Sequence, residues 1–110
     1  MVKRIYNERE IKKYAQEYVR YLQSELKLSV QASFIFGSYA RGKAHRWSDI
    51  DICIISSQFK NEIDALQYLS VHRRLVDIER GIEPHGFSTA DFNKLNSPLI
   101  VEIKKTGIRV

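Results

Sequence analysis

Residues 49–55 constrain the fold more than any other stretch of the chain. Ile50, Ile52 and Ile54 alternate there with Asp49, Asp51 and Cys53. A period of two sends successive side chains to opposite faces of a β-strand. One face of this strand is therefore apolar, and the other begins with two carboxylates. Carboxylates at i and i+2 project side by side and repel unless a cation lies between them. Such a strand calls for an apolar layer on one side and for solvent or a hard cation on the other.

The remaining pattern supplies that layer. Asn7 and Glu10 have capping-box spacing, and Ile11, Tyr14, Ala15, Tyr18, Leu22 and Leu26 form a helical stripe, which predicts a helix over 8–28. A strand is expected over 29–36, with Val30, Ala32, Phe34 and Phe36 on one face. Residues 61–79 read as one helix with Ile63, Leu66, Leu69, Leu75 and Val76 inward, stopped by Gly81. Residues 82–87 read as a third strand, and Pro84 and Gly86 favour an edge position or a bulge there. Ser88 and Ser97-Pro98 open two short helices, Gly107 ends the second, and 108–110 form a short last strand. This order predicts a single α+β domain over 1–110, a small mixed β-sheet with helices packed on one face.

Composition narrows the function classes. The 110 residues are 44% hydrophobic and 28% charged, which is ordinary globular usage and excludes a disordered or fibrous chain. No apolar run reaches the ~18 residues of a membrane helix, and the first residues show no secretory signal, so a cytoplasmic location is expected. Cys53 is the only cysteine, which excludes an internal disulfide framework. The net charge of +5 favours anionic partners. The basic clusters Lys12-Lys13, Arg73-Arg74 and Lys104-Lys105 are too short for a nucleic-acid tail. Nucleic acid is thus a less favoured partner, and a membrane is not expected.

Chemistry concentrates in residues 37–51. Gly37 follows a strand, where phosphates can approach backbone without meeting a Cβ. Ser38 offers a hydroxyl and an amide at an expected short helix start, which favours anions. Arg41 can donate to phosphate in bidentate fashion. Ten residues after Ser38 comes the Asp49-x-Asp51 pair. Carboxylate and phosphate oxygens suit Mg²⁺, so a phosphate cradle followed by this pair fits metal-assisted nucleotidyl transfer. Gly-Ser and Asp-x-Asp are each common in turns and solvated strands. Their combination at this spacing arises by chance in roughly one chain in a thousand.

Gly37-Ser38-x10-Asp49-x-Asp51 resembles the signature of the DNA polymerase β-like nucleotidyltransferase superfamily. Gly-Ser-Tyr-Ala-Arg-Gly followed by Ser-Asp-Ile-Asp-Ile is more closely similar to the minimal nucleotidyltransferases (MNT), and the likeness runs through Glu102-Ile103 and Thr106-Gly107-Ile108. The resemblance implies the polymerase β-like fold, ATP as substrate and two Mg²⁺ ions. It implies that Asp49, Asp51 and Glu83 are the metal-binding and catalytic carboxylates, with Glu83 helping to deprotonate an acceptor hydroxyl. Gly37 and Ser38 would hold the β- and γ-phosphates, with Arg41 and Lys43 as further phosphate contacts. Asp77 is the fallback for Glu83, although its helical position suits a cap or a solvated face.

Short MNT proteins resemble the antitoxin half of modules whose other half is a HEPN ribonuclease. The resemblance then implies transfer of AMP to a tyrosine of that partner. A steric antitoxin with a vestigial site and a nucleotidyltransferase acting on RNA or a small molecule stay open beside it. So does assembly as a homo-oligomer or hetero-oligomer. Among the other polar residues, His85 would share Glu83's side of a regular strand. His72 reads as structural or exposed, Cys53 as packing, and Trp47 as a cover for the turn. His45 lacks metal-ligand spacing. Tyr14, Tyr18 and Tyr21 follow helical spacing and read as core or interface residues.

Overall fold

A computed structural model describes residues 4–94 and 96–110. Helix α1 spans Glu8–Ser24 and begins with the expected capping box. The Asn7 side chain accepts from the Glu10 amide at 2.8 Å, and Glu10 accepts from the Asn7 amide at 3.0 Å. The helix stops short of residue 28 because the chain reverses at Lys27, in the left-handed region at φ 57°. Leu28 is nonetheless buried, so the apolar pattern outlasts the helix.

Strands β1 (Ala32–Phe36) and β2 (Ile50–Ile55) pair antiparallel. The strand expected from residue 29 starts at Ala32. Side chains hold the approach instead: the Ser29 amide donates to Gln58 Oε1, and the Ser57 amide donates to Gln31 Oε1. Val30 accordingly packs with the α1 side of the core, apart from Ala32, Phe34 and Phe36.

The single helix expected over 61–79 is two. Helix α2 (Glu62–Val71) ends at His72, and α3 (Leu75–Glu79) begins after an extended Arg74. Asp77 causes the break. Its carboxylate accepts from the Arg74 amide and holds the Arg74 guanidinium through Nε and Nη2, each at 2.9 Å. Such local side-chain bonds compete with helix continuation. Ile63, Leu66 and Leu75, expected inside, are 70%, 40% and 72% exposed, while Leu69 stays fully buried.

Strand β3 (Ile82–Phe87) pairs parallel to β2, and β4 (Ile108–Arg109) pairs antiparallel to β1. The sheet order is β3-β2-β1-β4. Pro84 therefore lies on an edge strand, where its missing N–H is harmless. The β2–β3 register runs unbroken from Ile50↔Ile82 to Ile55↔Phe87, so the edge, and not a bulge, accommodates the proline. Ser88 precedes α4 (Thr89–Lys94) and accepts from the Asp91 amide. Ser97 caps α5 (Pro98–Thr106), which has Pro98 in its first turn and ends at Gly107.

The expected α+β mixed sheet is the one found, with more of it covered than the single face anticipated. Ile35, Ile50, Ile52, Ile54 and Ile82 meet Ile11, Tyr18 and Leu22 of α1 and Ala65 and Leu69 of α2. Phe36, Cys53, Ile55 and Phe87 meet Ile100 and Ile103 of α5, with Phe92 of α4 beside them. The C-terminal helices thus pack on the opposite face, which is the face that carries Asp51. No helix among the described residues is long and apolar enough to cross a membrane.

Candidate active site

Antiparallel pairing sets the end of β1 against the start of β2, with Phe36 opposite Asp51. Gly37, the next residue, lies against that carboxylate. A Cβ built on Gly37 would fall 2.2 Å from Asp51 Oδ2, and φ is +75°. Both the space and the backbone conformation require glycine here.

The turn that follows is one helical turn and no more. The Arg41 amide donates to Gly37 O at 3.1 Å, Gly42 to Tyr39 O, and Lys43 to Ser38 O at 2.9 Å. The last two bonds form a Schellman closure, with Gly42 at φ +69° in the left-handed position. The short helix expected at Ser38 is therefore absent, and so is its macrodipole. Any anion held here must be held by individual donors. Ser38 is half-buried at the head of the turn; Arg41 and Lys43 are exposed, and the Lys43 backbone N–H helps close the turn.

The carboxylates gather across two strands. Asp51 and Glu83 are direct partners in the parallel β2–β3 register. Asp49 precedes β2 and is exposed, while Asp51 and Glu83 are half-buried. The Asp51 carboxyl is pushed up to about 6, first by burial and then by the charges of Asp49, Glu83 and Glu102, against a downward pull from Arg41. The structure thus brings Gly37, Arg41, Asp49, Asp51 and Glu83 into one electrostatic neighbourhood.

Glu102 belongs to the same neighbourhood, and sequence reasoning did not single it out. Its Oε2 accepts from the Gly37 amide at 3.2 Å, and its Oε1 lies 3.2 Å from Arg41 Nη1. The available signal was its isolation: it is the one acidic residue of the α5 segment Pro98–Thr106.

Oxygen donors of this kind suit Mg²⁺, which typically takes one or two carboxylates and completes its shell with phosphate and water. Among the described residues, no three His, Cys, Asp or Glu side chains already converge on a single ion position. The donor chemistry fits the metal, while the full coordination shell needs oxygens from outside the protein.

Other polar residues fall outside this group. Asp77 is fully buried and paired with Arg74, so it is a helix cap and not a solvated residue. His85 sits on Glu83's side of β3, with its ring edge-on to Phe36 at 5.3 Å. Cys53 is buried, and burial pushes its thiol up to about 12, as a packing role requires. His72 Nδ1 donates a structural bond to Tyr68 O at 2.7 Å. Tyr18 is fully buried and donates to Leu69 O at 2.9 Å. His45 is exposed, and its Nδ1 accepts from the Trp47 amide. Trp47 is 57% exposed beneath Arg46 and covers little of the turn. A neighbouring cavity of about 400 Å³ borders the turn at Tyr39, Ala40 and Gly42, with Ile5, Ile11 and Glu8 giving it walls of mixed polarity.

The family model of the nucleotidyltransferase domain matches residues 7–106. No curated protein matches the chain significantly. Among solved structures, a Sulfolobus solfataricus protein assigned as a nucleotidyltransferase superposes with a TM-score of 0.62 at 22% identity, over 91% of this chain and 78% of that one. A toxin–antitoxin complex with AMP-PNP gives 0.56 at 20% identity, over 86% and 70% of the two chains. A mutant MntA-HpeT toxin–antitoxin complex gives 0.52 at 19%, over 96% and 72%. At these identities the structural likeness establishes the fold.

Proposed function

The chain belongs to the nucleotidyltransferase domain family, and from that premise we propose that it moves AMP from ATP to a tyrosine hydroxyl of a HEPN-type protein partner. The observation that carries the reading is the contact of Gly37 with Asp51. A turn carrying amide and guanidinium donors directly against a carboxylate cluster supports nucleotidyl transfer. Fold relatives drawn from toxin–antitoxin complexes, one with AMP-PNP, support the choice of partner and nucleotide.

In this reading Ser38, Arg41 and the Gly37 amide hold the β- and γ-phosphates, and Lys43 adds positive charge at the end of the turn. The acceptor oxygen attacks the α-phosphorus and forms a new P–O bond. The bond from that phosphorus to the oxygen bridging to the β-phosphate breaks, and pyrophosphate leaves. Glu83 accepts the hydroxyl proton. Asp49, Asp51 and Glu83 would supply the protein oxygens for two Mg²⁺ ions. Bound there, Mg²⁺ would neutralise phosphate charge and acidify the acceptor hydroxyl.

The test is incubation with ATP, Mg²⁺ and the HEPN protein encoded beside it, read by intact mass. A gain of about 329 Da per AMP on the partner, absent with Asp49→Ala/Asp51→Ala, is expected. A stable complex with no mass gain would sink the enzymatic reading in favour of steric inhibition. Label on RNA, with none on the partner, would move the acceptor to nucleic acid.

A further inference from the structure

We propose that Glu102 is an internal stand-in for the triphosphate, and that it sets the nucleotide affinity of the site by competing for the same donors. The inference rests on the reading of Gly37 and Arg41 as phosphate donors. Glu102 engages both of them, the Gly37 amide through Oε2 and Arg41 through Oε1, each at 3.2 Å. The two carboxylate oxygens therefore engage the backbone donor and the Nη1 end of the guanidinium together. An amide N–H has one proton to give, so it cannot serve a carboxylate and a phosphate at once. A triphosphate arriving on this turn must displace Glu102 from Gly37.

The location of Glu102 makes this competition a property of the fold. Its neighbours Ile100 and Ile103 are buried in the sheet face that carries Asp51, which anchors α5 beside the turn. The Glu102 side chain is itself 31% exposed and Arg41 is 42% exposed. A water-accessible pair of this kind can open without unfolding the helix that holds it. In the nucleotide-free protein the contact satisfies donors on the turn. It also places a fourth carboxylate in the field around Asp51, so the same side chain repels incoming phosphate.

A competing role and a supporting one have opposite signatures. A stand-in weakens binding, so removing its charge tightens binding. A further ligand for the metal–nucleotide complex strengthens binding, so removing its charge loosens it.

The experiment is calorimetric titration of ATP with Mg²⁺, in the absence of any acceptor, into wild type, Glu102→Gln, Arg41→Met and the double variant. Thermal unfolding serves as the control for folding. Glu102→Gln is expected to lower the ATP dissociation constant about three- to tenfold, the range for releasing one half-exposed charged contact and its hydrogen bond. The gain should be smaller when Arg41 is already Met, which separates competition for a shared donor from a general change in charge. Unchanged or weaker binding by a folded Glu102→Gln protein overturns the inference. An equal gain in both Arg41 backgrounds overturns it as well. If Arg41→Met weakens ATP binding while Glu102→Gln does nothing, the nucleotide site stands and only the stand-in falls. If no variant binds ATP, both fall together.

Discussion

Gly37 is the position where a single methyl group should do the most harm. Its left-handed φ and the Asp51 oxygen in the place of a Cβ act together. Gly37→Ala is expected to cost about 1–3 kcal/mol in chemical denaturation, the range for a strained backbone position. It should also abolish ATP binding, because Asp51 must move. Asp51 itself trades stability for charge. Its carboxyl rises from an ordinary 3.8 to about 6, so the folded state holds that proton more tightly than the unfolded chain. The contribution of Asp51 to stability is therefore full below pH 3.8 and is lost as pH climbs through about 6. In metal-free buffer at neutral pH, Asp51→Asn should stabilise the fold by about 1 kcal/mol, after discounting the shift for solvent screening. The gain should vanish near pH 4. Thermal melts with EDTA at both pH values check this, and equal gains at the two would refute it.

At the scale of elements, α5 is attached through Ile100 and Ile103. Ile103→Ala should cost about 2–4 kcal/mol in urea unfolding, as for other buried aliphatic truncations. A loss below 1 kcal/mol would mean that α5 is not held as described. The α1 cap predicts a smaller effect: Asn7→Ala should cost about 1 kcal/mol. Elements marked by capping residues were legible in the sequence. Asn7 with Glu10, Ser88 and Ser97-Pro98 all act where their spacing places them. The alternation in 49–55 likewise identified β2 and its apolar isoleucine face. The break at residues 72–74 was not legible, because it depends on Asp77 reaching back to Arg74 from a buried position. The placement of α4 and α5 on the opposite face was hidden for a similar reason. Phe34, Phe36 and Phe87 create that second apolar layer only once the strands are in register. Within the site, the Gly-Ser and Asp-x-Asp spacing identified the turn and the first carboxylates. Glu102 escaped notice because its partners, Gly37 and Arg41, lie more than sixty residues away in the chain.

At the scale of the molecule, two apolar layers enclose one sheet, and Cys53 lies in the second of them, next to Ile55 and Ile103. The thiol is buried, so it should resist Ellman's reagent in the native protein and react in step with global unfolding. Fast modification without loss of structure would show that α5 opens independently of the rest. The strand order also has a kinetic consequence. β1 and β2 are close in the chain, whereas β4 pairs Arg109 with Phe34 across about two thirds of the sequence. Closing that long loop carries the larger entropy cost, so it belongs late in assembly. In pulsed hydrogen exchange during refolding, β1 and β2 amides should become protected before those of Ile108 and Arg109. The Asp51 carboxylate of β2 would then be in place before α5 delivers Glu102, and every newly made molecule would pass briefly through a state in which the Gly37 amide and the Arg41 guanidinium are uncovered.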